Sequence, residues 1–292
     1  MSTPTPATLS VGGDLTVGRI GFGAMQLTGK QVWGEYPDHE GGIALLRAVV
    51  DAGVTFIDTA DVYGPHSNEI LIREALHPYP ENLVIATKGG FVRGGYDYST
   101  LGAVGNPNYL RQSANMSARR LGVDSIDLYY LHSGQATDVP YEEQVATLAA
   151  LKEEGLIRHI GLSNVTLEQF ELAQTITPIA AATALYNAGI RQGVDLLRAT
   201  ERTGAVFSPW HPMSIADGGD PDRITVALEP IAHNHGVTVP QIALAWHLHR
   251  APNTLPIPGT TSLEHLRTNI AAAQITLDPD EVARITALVP ED

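Results

Sequence analysis

Three successive apolar runs in this chain end on polar residues of different chemistry. The stretch FIDTADVYG (56–64) closes one run with Asp58 and places Tyr63 five residues later. The run LVIATK (83–88) ends in Lys88, and IDLYYLH (126–132) ends in His132. One polar strand end is ordinary; Asp, Lys and His on successive runs, with a tyrosine in the first loop, form a constellation. A free tyrosine titrates near ~10, too high for proton exchange at neutral pH. A neighbouring lysine cation favours the phenolate and lowers that value. An aspartate beside the lysine holds it in place and keeps it charged. A histidine can orient a carbonyl oxygen or share its proton load. Together the four can polarise a carbonyl and deliver a proton to its oxygen as it becomes an alkoxide. They contain no electron source, so the natural complement is a hydride donor, a nicotinamide. Asp61, in the same stretch, reads as a loop residue.

The elements that must position these groups follow a regular beat. Strand candidates are 19–23, 54–58, 83–88, 126–132, 158–163, 179–187, 205–210 and 254–259. Helical patterns lie between them, over 43–51, 67–76, 107–121, 140–155, 166–176, 191–203, 222–236 and 262–273, and 239–250 adds a helix before strand eight. Eight strands alternating with helices in 292 residues predict a (β/α)₈ TIM barrel as a single domain, 1–292. In that architecture the active site lies at the C-terminal strand ends, where the four residues fall. A doubly wound open sheet is the rival, but no G-x-G-x-x-G follows the first strand. Residues 8–20 read as a hairpin turning at Gly12-Gly13-Asp14. The glycine-rich stretch 89–105 is too long for a plain connection and is expected to be functional or mobile.

Composition narrows the function classes. Net charge is −14, which argues against a general nucleic-acid or anionic-membrane surface. Cysteine is absent, which excludes disulfides, thiolate metal sites and a cysteine nucleophile and fits a cytoplasmic location. The start MSTPTPATLS lacks the features of a signal peptide, and no apolar run is long enough to span a bilayer.

The chain resembles the aldo-keto reductase family over nearly its whole length. The resemblance rests on GFGAMQ (21–26), FIDTADVYG, IATKGG (85–90), IDLYYLH, RHIGLSN (158–164), FSPW (207–210), QIALAWHL (241–248) and PIPGTTSLEHLRTNIAA (256–272), in that order. It implies a TIM barrel capped at its bottom by the 8–20 hairpin, reducing a small carbonyl substrate with NADPH or, less often, NADH. It casts Tyr63 as general acid, Lys88 as its pKa-lowering partner, Asp58 as the lysine anchor and His132 as carbonyl orienter. It further implies that Ser163 and Asn164 hold the nicotinamide carboxamide and that Phe207 stacks on the nicotinamide. Ser208, with Pro209 and the loop beyond, would face the pyrophosphate. Gly23 and Met25 would meet the nicotinamide ribose, and the block 258–269, with Gly259, Thr260, Thr261, His265 and Asn269, would bind the adenosine end. Among small bacterial reductases of this pattern, pyridoxal-like and sugar-derived carbonyls are candidate substrates.

Three positions depart from the family pattern, one at the nicotinamide end and two at the adenosine end. Thr183 stands where a glutamine is common as a further carboxamide ligand. Gly259 and His265 stand where many members pair the NADPH 2′-phosphate with lysine and arginine, so NADH is also compatible. Trp33 and His211 are candidate walls of the substrate pocket, and Tyr96 and Tyr98 a candidate lid. His247-x-His249 and His233-x-His235 are not on one helical face and do not suggest a metal. Arg191 reads as a surface residue at a helix start. Two other functions compete: a cofactor-holding regulatory subunit with slow turnover, and a metal-dependent sugar barrel, which would need more carboxylates and histidines at strand ends. The oligomeric state is open.

Overall fold

The computed structural model describes residues 7–215 and 221–291; the first six residues of the signal-peptide reading lie outside it. A hairpin of β1 (Thr8–Val11) and β2 (Leu15–Gly18) comes first. The main sheet contains β3 (Phe22–Gly23), β4 (Phe56–Asp58), β5 (Val84–Gly89), β8 (Ile126–Leu131), β9 (Ile157–Ser163), β10 (Ile179–Leu185) and β11 (Val206–Trp210), all parallel and in sequential order. Between β5 and β8 the glycine-rich stretch forms a small antiparallel hairpin, β6 (Phe91–Arg93) and β7 (Leu101–Ala103). Helices alternate with the strands: α1 (His39–Asp51), α2 (Ser67–Leu76), α3 (Pro107–Leu121), α4 (Tyr141–Glu153), α5 (Leu167–Ile176) and α6 (Val194–Thr203). After β11 come α7 (Pro221–His235), α8 (Val239–Arg250), α9 (Leu263–Ala271) and α10 (Pro279–Thr286). This is the expected TIM barrel, with the additional helix α8 before the eighth staves. Among the described residues no helix is long and apolar enough to cross a membrane.

Local chemistry explains several boundaries. Asn106 caps α3 through its side chain, Pro107 opens it, and Gly122 ends it in the left-handed conformation (φ 73°). Thr166 and Gln169 form a capping box on α5. The helix α10 was not expected from the sequence, yet Asp278 and Glu281 make the same reciprocal cap around Pro279.

The eighth segment differs from its prediction. Residues 254–259 close the barrel without forming a regular strand. Leu255 N donates to Phe207 O at 2.8 Å, and Gly21 N and Gly23 N donate to the carbonyls of Pro256 and Pro258 at 3.0 and 3.3 Å. Pro256 and Pro258 have no N–H to return, so a two-way ladder cannot form. The seam is tight. A Cβ on Gly23 would lie 2.7 Å from Ile257 O, and one on Gly259 would lie 2.8 Å from Gly23 O.

The core divides by strand alternation. Phe56, Val84, Leu128, Val206 and Leu255 fill the barrel interior, and Val11, Leu15 and Val17 of the first hairpin pack onto the same cluster, plugging its N-terminal end. The opposite faces carry Leu131, Ile160, Leu162, Ala182 and Phe207 to the helices. Arg191 is not a surface residue; it is 6% exposed. Its guanidinium lies 4.7 Å over the Trp246 ring and donates to the carbonyls of Asn187, Ile285 and Thr286, joining the loop after β10 to α10. Arg191→Ala is expected to cost about 3 kcal/mol, because three buried carbonyls lose their donor. Urea unfolding, with the free energy taken from midpoint and slope, checks this; a loss under about 1 kcal/mol would contradict it.

Candidate active site

At the C-terminal end of the barrel a cavity of about 670 Å³ opens, and all four candidate catalytic residues line it. Asp58, Lys88 and His132 stand at the ends of three adjacent strands. Asp58 faces Ala86 in register and Lys88 faces Tyr130. Period-two alternation along β5 sends Thr87 outward, where its hydroxyl donates to Glu69 at 2.6 Å, and leaves Lys88 inside. Asp58 and Lys88 are almost fully buried, at 4% and 3% exposure. Lys88 Nζ donates to Asp58 Oδ1, to Thr59 O at 2.8 Å and to the Tyr63 hydroxyl at 3.4 Å. The loop that carries Tyr63 is anchored beneath: Thr59 Oγ1 donates to Asn68 Oδ1, and Asn68 Nδ2 donates to the carbonyls of Ala24 and Leu27. The His132 ring is edge-on to Tyr63 at 6.0 Å and to Phe91 at 4.7 Å.

Electrostatics set the proton states. Burial disfavours the Lys88 ammonium, but the Asp58 carboxylate beside it wins and the net direction is up, so the lysine is charged. Burial pushes the Tyr63 phenol up, and the opposing pull of Lys88 does not reverse it. Lys88 does pull the phenol down, as expected of it, but it offsets only part of the desolvation, so the net direction is up and the phenol is protonated at neutral pH. Burial, then the Lys88 cation, hold His132 well below its ordinary value, so its imidazole is neutral and able to donate a hydrogen bond. Its Nδ1 has no partner among the described residues. The arrangement is a protonated acid and a neutral donor beside a buried cation, suited to a carbonyl oxygen that gains negative charge.

The remaining predicted residues divide between cavity and surroundings. Gly23, Met25, Ser163, Asn164, Gly259 and His211 line the cavity. Trp33 does not; it stacks under Arg93, 5.3 Å from its guanidinium. Thr261 and His265 are exposed at the start of α9, Thr260 and Asn269 are buried, and none of the four borders the cavity. Ser208 is buried beside Thr183 in register, and Pro209 faces the other way. Phe207 is also turned away: it is fully buried in the outer layer, 5.8 Å from the Tyr186 ring. The reason is alternation, because Ser208 and Phe207 are neighbours on one strand and cannot share a face. The aromatic residue of β11 that reaches the cavity is Trp210, whose Nε1 donates to Asn164 Oδ1 at 3.2 Å. The same period, applied to FSPW, was the signal that could have found it. Of the candidate lid, Tyr98 lines the cavity and Tyr96 does not.

A nicotinamide fits this cavity. Ser163, Asn164 and Thr183 bring hydroxyl and amide groups together at its inner end, Trp210 offers a ring, and Gly23 and Gly259 form a side-chain-free backbone cradle. The sequence model of the Aldo/keto reductase family matches residues 19–290. The chain belongs to the aldo/keto reductase family. An uncharacterised oxidoreductase of Schizosaccharomyces pombe is 43% identical over 94% of this chain and 87% of its own. The pyridoxine 4-dehydrogenase of Escherichia coli is 38% identical over 96% of this chain and 97% of its own. Among solved structures, an aldo/keto reductase of Klebsiella pneumoniae in complex with NADP and acetate superposes with a TM-score of 0.79 at 29% identity, covering 97% of this chain and 95% of that one. A thermostable aldo-keto reductase solved with the inhibitor epalrestat gives 0.84, also at 29% identity, over 97% and 99%. The protein is thus an NAD(P)H-dependent oxidoreductase of the carbonyl-reducing type.

Asp61 is the residue of this region that the sequence undervalued. It is 3% exposed, accepts from Ser113 Oγ at 2.6 Å, and leaves Oδ1 without a partner. Burial, against the Ser113 hydrogen bond, pushes its carboxyl up to about 7. An acid whose folded pKa is raised holds its proton longer in the folded state, so it subtracts stability as pH rises from its unfolded value through about 7. Asp61→Asn is expected to flatten the pH dependence of stability between about 4 and 8, gaining at most about 4 kcal/mol at the upper end. Urea unfolding across that range measures it; parallel curves for the two proteins would refute it.

Proposed function

We propose that the protein reduces an aldehyde or ketone to the alcohol, with Tyr63 as proton donor and NADPH as the preferred hydride source. The observation that carries the reading is the buried Lys88, which meets Asp58 and the Tyr63 hydroxyl at once in a cavity sized for a nicotinamide and a small substrate. Nicotinamide, when bound, supplies the hydride. Ser163 and Asn164 would hold its carboxamide, with Thr183 as a shorter substitute for the missing glutamine and Trp210 against the ring. His132 orients the carbonyl oxygen by donating a hydrogen bond from its neutral ring. Tyr63 gives its proton to that oxygen, and Lys88 stabilises the phenolate left behind. Asp58 keeps Lys88 charged and in place. Phe91 and Trp210 limit water at the reacting oxygen.

Gly259 and the exposed His265 offer no charged pair for a 2′-phosphate, so NADH is expected to serve as well, with NADPH ahead on the pattern of the family. The relative in Escherichia coli is called a pyridoxine 4-dehydrogenase. Reversing an alcohol dehydrogenation is a carbonyl reduction, which makes pyridoxal a candidate substrate here.

The test is NADPH and NADH oxidation against a panel that includes 4-nitrobenzaldehyde and pyridoxal. Turnover is expected, unaffected by EDTA. Tyr63→Phe should lower kcat by about 10²–10⁴-fold while NADPH affinity by fluorescence is unchanged, since only the proton donor is removed. Tight NADPH binding with no turnover across the panel would favour the regulatory reading, and a nearly active Tyr63→Phe would overturn the role of Tyr63.

A further inference from the structure

The substrate side of the cavity is built from two segments distant in sequence, the loop at 30–34 and the β6–β7 hairpin. Val32 comes from the first, and Phe91, Arg93, Tyr98 and Leu101 from the second. Each segment has hydrogen bonds of its own, Gly64 N donating to Val32 O at 3.1 Å and Gly94 N to Thr100 O at 3.2 Å, but these do not join one segment to the other. Gln31 and Val32 both have positive φ, 58° and 57°, a region disfavoured for any side chain and most of all for a β-branched one. The hairpin is short, and its tip at Tyr96 and Tyr98 is half exposed.

Arg93 joins them. Its Nη1 donates to Gln31 O at 3.1 Å and, at a longer 3.5 Å, to Val32 O. Its Nη2 donates to Tyr96 O at 2.8 Å. The guanidinium is also flanked by two rings, Trp33 at 5.3 Å and Tyr98 at 5.0 Å. One planar cation therefore ties the two strained carbonyls to the hairpin tip and stacks on an aromatic residue from each segment. Tyr98 N adds a second tie, donating to Gln31 Oε1 at 3.2 Å.

We propose that Arg93 is a specificity-determining positioning residue, a latch that holds the 30–34 loop and the β6–β7 hairpin together as a preformed wall for substrates large enough to reach it. The proposal rests on the carbonyl-reductase reading of the same cavity. A small aldehyde is bound near Tyr63 and His132 and does not need the wall; an aromatic aldehyde does. Arginine suits the position because Nη1 and Nη2 reach the two segments separately and the planar group stacks between two rings, whereas a lysine brings all its donors to one nitrogen and has no plane to stack.

Arg93→Ala and Arg93→Lys are compared with the unaltered protein, using NADPH with propanal and with 4-nitrobenzaldehyde. Arg93→Ala is expected to raise KM for 4-nitrobenzaldehyde about tenfold, with kcat for propanal and NADPH affinity by fluorescence within twofold. Arg93→Lys is expected to recover less than half of that loss on a logarithmic scale. Equal losses for both aldehydes, weakened NADPH binding, or full recovery by lysine would overturn the latch. Chymotrypsin cleavage at Tyr96 and Tyr98 provides a readout independent of turnover: faster cleavage in both variants supports the latch, and unchanged rates refute it. If the unaltered protein turns over neither aldehyde, the reductase reading fails, and the cleavage rates alone decide whether Arg93 holds the wall.

Discussion

The contact between Lys88 and Asp58 is the interaction around which the upper half of the barrel is arranged. Two charges at 3% and 4% exposure are costly to desolvate, and a single unpaired one would be costlier still. The pair is tolerable because Asp58 and Lys88 point inward from adjacent strands, with Lys88 two residues beyond the register partner of Asp58, and because Thr59 O and the Tyr63 hydroxyl take the remaining ammonium protons. Such a pair adds little to stability compared with an apolar replacement of the same volume. Its value is chemical: it places a fixed positive charge next to a phenol in a site of low dielectric.

The barrel separates this polar end from a purely apolar one. Below Lys88 and Tyr130 the interior is filled by Ala86, Leu128 and Phe56, and the first hairpin seals the bottom with Val11, Leu15 and Val17. Rigidity at the bottom and adaptable loops at the top suit an enzyme whose reacting groups stand on strands. Asp58 and Lys88 stand on strands and His132 one residue past β8, held by its N donating to Gly89 O at 2.9 Å; Tyr63 is carried further out on a loop, which is tied down by Asn68 below and by Asp61 and Ser113 at its side. The aldo/keto reductase family matches nearly the entire chain, so this division of labour belongs to the whole fold and not to one segment of it.

Much of this was legible in the sequence. The beat of β-branched runs and helical patterns yields the barrel, because parallel strands buried on both faces must be separated by helical crossovers. The four catalytic candidates follow from the rule that such barrels work at their C-terminal ends. Errors fell where a single residue obeys a local geometry against the general pattern. The family resemblance points to Phe207 for the cavity, whereas alternation on β11 turns Phe207 outward and brings Trp210 in. The eighth segment has the pattern of a strand, but Pro256 and Pro258 deny it the donors. Arg191 reads as a surface residue and Asp61 as a plain loop residue because charged residues in such places usually have no further role, whereas both are buried by contacts from elements far away in sequence.

The sequence by itself determined which residues could do chemistry, in what order they stand and on which kind of element, since residue type, period and spacing are local properties. The tertiary structure decided what state they are in. Tyr63 holds its proton more tightly than a free phenol and His132 is pushed well below its ordinary value because the site takes both out of water, and desolvation is a property of the surroundings and not of the residue. It likewise decided that Arg93 meets the carbonyls of Gln31 and Val32, about sixty positions earlier in the chain. A contact of that kind has no signature in composition or period and exists only once the barrel has closed.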